Sequence, residues 1–123
     1  MQIIVANTVG QLDNGQHVIP FPSRWDYAGA QHWFSYYPYE LAITSAMLKR
    51  ELPVGWAKVN MVDGNHEQLG ADDYIERLAA LAPDVLITEC SALTYPAMTR
   101  VMHGLRRRGM CNGGAMLGGP YAM

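Results

Sequence analysis

The residues with chemistry to offer gather in "TECSALTYPAM" (88–98), where an apolar run gives way to Cys90, Ser91 and Thr94 just ahead of a Pro-led helix start. A thiol, two hydroxyls and the backbone of Ala92 and Leu93 at a helix N-terminus suit a polar ligand that is anionic or carries amides. Simple helix capping accounts for Ser91 and Thr94 as well. A second group lies in "MLGGPYA", where Gly118 and Gly119 lack the Cβ atoms that would keep a flat ligand off the backbone. A tight turn explains the same two glycines. Each group alone is weak, and the pair gains weight if both sit on neighbouring strand ends.

The pattern along the chain puts them there. "QIIVANT" (2–8) is a continuous apolar run that reads as a strand buried on both faces. Residues 9–38 have no sustained period and include the aromatic stretch "RWDYAGAQHWFSYYPY", so they read as a long loop. "YELAITSAMLKREL" (39–52) follows Pro38 as a helix with apolar residues at 41, 43, 47, 48 and 52. "WAKVNMVD" (56–63) alternates like a strand and ends in Asp63-Gly64-Asn65, a turn signal. "ADDYIERLAALAP" (71–83) puts Tyr74, Ile75, Leu78 and Leu81 on one helical face. "DVLITEC" (84–90) is a further buried strand, and "PAMTRVMHGLRRR" (96–108) a helix with Ala97, Val101 and Leu105 in line. Ala115–Leu117 closes the series as a fourth strand.

Strand, loop and helix in repetition imply parallel βαβ units with right-handed crossovers. The expected fold is α/β: a flavodoxin-like (Rossmann-like) open parallel sheet with helices on both faces. Such sheets bind ligands at the carboxyl ends of their strands, where loops 7–38, 63–70, 90–95 and 118–123 converge. Residues 1–123 make one domain. A five-stranded version needs one more βα unit, so the chain is expected to be a short variant or the N-terminal part of a larger protein.

Composition excludes several classes. Half the residues are apolar, 16% are charged and the net charge is −2, which gives no electrostatic case for nucleic acid. The run Arg106-Arg107-Arg108 falls where a helix should end and complements its dipole. Cys90 and Cys111 form no CxxC pair, so neither a disulfide scaffold nor a thiolate-held zinc or iron–sulfur site is expected. No apolar run reaches membrane-spanning length and the start lacks a signal-peptide pattern, so a cytoplasmic protein is expected.

"TECSALTYP" followed by "MLGGPYA", with a helix and short strand between, resembles the Ser-x-Leu … Gly-Gly pattern of cobalamin-binding Rossmann-like domains. Residues 39–122, together with the first strand, look like the N-terminal cobalamin domain of cobalamin-dependent radical SAM enzymes. The resemblance implies that Ser91, Ala92, Leu93 and Thr94 line a pocket for the cofactor's dimethylbenzimidazole tail. Gly118, Gly119 and Pro120 would give that tail room, and Asn7 and Thr8 would approach the corrin. It also implies a methyltransferase-like function for the whole protein. S-adenosylmethionine and the iron–sulfur cluster would then belong to a downstream domain, since the chain lacks a CxxxCxxC motif and is not expected to be catalytic alone.

The pattern Asp-x-His-x-x-Gly, whose histidine ligates cobalt in other cobalamin domains, is missing. "QLDNGQHVIPF" spaces Asp13 and His17 differently and has Pro20 in place of glycine, while "DGNHEQLG" follows the wrong strand. Cobalamin is therefore expected without a histidine lower ligand, and His17, His32, His66 and His103 read as surface or loop residues. The aromatic loop 25–39 would cover the corrin, pack on a downstream domain or partner chain, or form a small core of its own. The rival reading is a cofactor-free flavodoxin-like regulatory or interaction domain. A receiver-type site lacks its acidic cluster, and a flavin or nucleotide enzyme lacks its G-x-G-x-x-G loop.

Overall fold

The computed structural model describes residues 1–20, 26–29 and 37–118. Four parallel strands form the main sheet: β1 (Gln2–Asn7), β4 (Lys58–Asp63), β5 (Val85–Glu89) and β6 (Gly114–Gly118), in the order β4-β1-β5-β6. Helices α1 (Tyr39–Glu51), α2 (Ala71–Ala79) and α3 (Tyr95–Arg107) make the crossovers. The order second, first, third, fourth is that of a flavodoxin-like sheet, with its switch point where β1 meets β5. The expected α/β fold is what the chain adopts.

The first strand is central because it is apolar on both faces. Ile4 and Ala6 face a core shared with Tyr74, Ile75 and Leu78 of α2 and Ala97, Met98, Val101 and Leu105 of α3. Ile3 and Val5 face a smaller core with Leu41 and Val59, flanked by partly buried Leu48, Leu52 and Ile87. The two faces are thus covered unequally. Strand β5 shows it residue by residue: Leu86 and Thr88 are buried, whereas Val85 and Ile87, on the α1 side, are only half-buried.

The structure corrects the sequence reading at three places. Residues 9–38 are not a structureless loop throughout, because β2 (His17–Pro20) pairs antiparallel with β3 (Asp26–Gly29). Helix α2 ends at Ala79 and not at 83, and residues 80–82 tighten into turns with Leu81 N–H on Leu78 O and Ala82 N–H on Ala79 O. Pro83 forces this, since the residue before a proline is pushed out of the helical region; Ala82 takes φ +47° instead. The strand read over 84–90 is not buried on both sides.

The apolar residues of α1 lie around the helix rather than along one face. Leu41 is buried and Leu48 and Leu52 are half-buried, but Ile43 and Met47 are exposed. The small polar Ser45 occupies the inward face in their place. The arginine run closes α3 as read, with Arg106 and Arg107 in its last turn and Arg108 ion-paired to Glu76 of α2.

Candidate functional site

At the carboxyl edge the ends of β1 and β4 are locked together. Asn7 Nδ2 donates to Asp63 Oδ1 at 2.8 Å, and the same oxygen accepts the His66 N–H at 3.0 Å. Asn7 Oδ1 accepts the Thr8 N–H at 2.9 Å. Past β1 the chain leans on the turn after β4: the N–H groups of Gly10 and Gln11 both reach Leu69 O, at 2.9 and 3.1 Å. The contact requires two glycines. A Cβ on Gly10 would lie 2.8 Å from Gly64 O, and one on Gly64 would lie 2.6 Å from Thr8 O and 2.7 Å from the Tyr74 ring.

Tyr74 closes this half from below. Its side chain is fully buried and its hydroxyl donates to the Asn7 carbonyl. Burial pushes the phenol far above its ordinary range, and the Asp63 and Glu67 carboxylates push it further. The folded value therefore exceeds the unfolded one. The native phenol keeps its proton where the unfolded chain has lost it, so this residue's contribution to stability falls away as pH rises past about 10. Tyr74→Phe is expected to cost about 1–2 kcal/mol near neutral pH, one buried hydrogen bond. It should also flatten the loss of stability above pH 10; chemical denaturation at neutral and alkaline pH measures both.

On the other side of the switch point, β5 and β6 run in parallel register with Glu89 opposite Gly118. Just beyond, Cys90 N–H donates to Gly118 O at 3.2 Å. The polar turn and the first glycine of the second group therefore sit side by side, as the sequence argument required. Gly118 is half-buried, and a Cβ there would meet Glu89 Cγ at 3.3 Å. Gly119 and Pro120 lie outside the described residues, as does most of the aromatic loop.

Within the turn, Ser91 and Thr94 hold each other. Ser91 N–H donates to Thr94 Oγ1 at 3.0 Å, Thr94 N–H reaches Ser91 Oγ at 3.4 Å, and the hydroxyl oxygens stand 3.3 Å apart. This reciprocal arrangement closes the turn ahead of α3, whose first-turn N–H groups receive no side-chain cap. Thr94 is buried, Ser91 and Leu93 are half-buried and Ala92 is exposed. The turn thus presents Ser91, Ala92 and Leu93 outward, with Thr94 beneath them.

Among the described residues, three buried polar atoms on this edge have no hydrogen-bond partner: Thr8 Oγ1, and Nδ2 and Oδ1 of Asn65. An unmade hydrogen bond on a buried group costs about 1–3 kcal/mol, so such groups mark places where a polar guest is welcome. Thr8 was within reach of the sequence reading. Asn65 was not, because "DGN" signals only a turn.

The loop that stands where a cobalt-ligating histidine would be expected is a tight turn leading into β2. Leu12 N–H bonds to Gln16 O at 2.8 Å, Gly15 takes φ +84°, and Asp13 pairs with Arg100 of α3 at 2.9 Å. Among the described residues no group of three or more His, Cys, Asp or Glu side chains could hold a metal ion. No helix among them is long and apolar enough to cross a membrane. Comparison with protein families, curated proteins and solved structures finds no match to this chain.

Proposed function

We propose that this chain is a cobalamin-binding domain of a radical SAM, methyltransferase-like protein, receiving the cofactor's nucleotide tail at the carboxyl edge of its sheet. One observation carries the reading: Glu89 stands opposite Gly118, so the turn with Ser91, Ala92 and Leu93 adjoins the glycine of "LGGPY". That adjacency is what the resemblance needs, and sequence order alone does not guarantee it. The Thr8 hydroxyl, without a partner among the described residues, adds a polar group at the end of β1.

The residues fit the group in kind. Gly118 and Ala92, with small or absent side chains, leave room at the ends of β5 and β6. When bound, the corrin would supply methyl-carrying or electron-transfer chemistry, and this domain would bind and orient it. The histidine mode of cobalt ligation is not part of the proposal, since Asp13 is engaged with Arg100 and His17 begins a strand. A cytoplasmic setting goes with the reading, where the buried Cys90 and Cys111 stay reduced.

A second reading, a cofactor-free interaction domain, is favoured by the way Ser91 and Thr94 satisfy each other without a ligand. The visible spectrum separates the two. After mixing with hydroxocobalamin and desalting, the protein is expected to retain corrin absorbance, and Ser91→Tyr, which fills the space beside Gly118, is expected to weaken retention about tenfold or more. Retention of no corrin by a protein with a folded circular-dichroism spectrum would overturn the cobalamin reading.

A further inference from the structure

Helix α1 carries two apolar stripes. The inner one, Leu41, Leu48 and Leu52 with the small Ser45 between them, packs on the sheet. The outer one is exposed: Tyr39 at 59%, Ile43 at 57% and Met47 at 50%, with Ala46 also exposed. Tyr39, Ile43, Ala46 and Arg50 are spaced four, three and four residues apart, the seam spacing of paired helices. A contiguous exposed apolar surface of this kind marks an interaction site.

The geometry points to a second copy of this chain as the occupant, docked by antiparallel pairing of α1 with α1 across a two-fold axis. The charge distribution selects that partner and that direction. The seam begins with Tyr39 beside Glu40 and ends in Arg50. An antiparallel two-fold axis between Thr44 and Ser45 sets Ile43 against Ala46 of the second copy, a large residue against a small one. It brings each Arg50 over the other copy's Tyr39 and beside its Glu40, a cation over an aromatic face next to a carboxylate. A parallel arrangement would stack Arg50 on Arg50 and oppose like helix dipoles.

Among the described residues Arg50 pairs with its neighbour Glu51, at 2.6 Å with both side chains largely exposed, a pair that water screens and a partner can displace. The exposed Tyr37, Val54 and Trp56 flank the two ends of α1 and extend the apolar surface, since antiparallel pairing brings the N-terminal end of one helix to the C-terminal end of the other. An isologous contact of this type closes on itself and yields dimers, not filaments. One helix per subunit makes a modest interface, so micromolar dissociation is expected. The dimer does not depend on the cobalamin reading, because α1 takes no part in the edge described above.

Sedimentation equilibrium over a concentration series tests it. The native chain is expected to approach twice the monomer mass at about 100 µM. Ile43→Glu should leave a folded monomer, and Arg50→Glu should weaken association about tenfold or more by setting acid against Glu40. Glu40→Arg combined with Arg50→Glu should recover association, since the pair is restored with its signs exchanged. All three sites are exposed, and circular dichroism checks that each variant folds. A native chain that stays monomeric throughout would overturn the proposal and assign the stripe to a different partner. So would a dimer indifferent to Ile43→Glu, or a double variant no better than Arg50→Glu alone.

Discussion

A Gly64→Ala variant is expected to lose about 3 kcal/mol of stability, a large share of what a domain of this size possesses. The added methyl has nowhere to go. Thr8 O stands 2.6 Å from the Cβ position, and the Tyr74 ring carbons stand 2.7 and 2.9 Å away. Neither neighbour yields cheaply: one is backbone fixed in the β1 exit, the other a fully buried ring whose hydroxyl is tied to Asn7. Gly10→Ala should cost a similar amount, because its Cβ would meet Gly64 O at 2.8 Å and Gln68 Cα at 2.9 Å. Gly70→Ala is the control. Its Cβ would meet nothing closer than Gln11 Oε1 at 3.9 Å, so a change under about 1 kcal/mol is expected. Urea denaturation of the three variants gives the comparison, and equal losses at Gly64 and Gly70 would mean the two strand exits are not pressed together.

That contact shows what could be read in the chain and what could not. The βαβ order, the central β1 and the inner faces of α2 and α3 were legible because each depends on a local period: Tyr74, Ile75 and Leu78 on one helix, Ala97, Val101 and Leu105 on another. The β2–β3 hairpin was not, since "HVIP" and "DYAG" are four-residue strands too short to show an alternation and one contains proline. Gly10 and Gly64 are each ordinary after a strand. Their necessity arises only when β1 and β4 become neighbours, a fact carried by pairs 56 residues apart such as Asn7 and Asp63. The link from Tyr74 to Asn7 spans 67 positions and leaves no local trace.

The same limit explains α1. Its apolar residues surround the helix, so a 3.6-residue period supplies no direction, and only the structure separates the inward Leu41 from the outward Ile43. At the candidate site, the sequence singled out the turn after β5 and the glycine of β6 from residue type alone. Their adjacency followed from strand order, once the pairing of β5 with β6 was known.

Unequal coverage of the sheet has a measurable consequence on β5, where adjacent residues point to opposite faces. Leu86→Ala is expected to cost about 3–4 kcal/mol, and Ile87→Ala about 1–2. Leu86 is fully buried against β1 and beneath α2 and α3, whose side chains are themselves packed on one another. Gly104 of α3 makes that second layer tight, since a Cβ there would touch Ile75 of α2 at 2.7 Å. A truncated Leu86 therefore leaves a hole that two braced helices cannot close. Ile87 sits in register with Val5, but only α1 covers that side among the described residues, and Ile87 remains half-buried. Part of its side chain already meets water, so less transfer energy is lost and the cavity opens to solvent. The ratio of the two losses, read from urea midpoints at constant slope, reports the asymmetry directly. Equal losses would mean that the α1 side is as thoroughly covered as the other, and a larger loss at Ile87 would reverse the assignment of the main core.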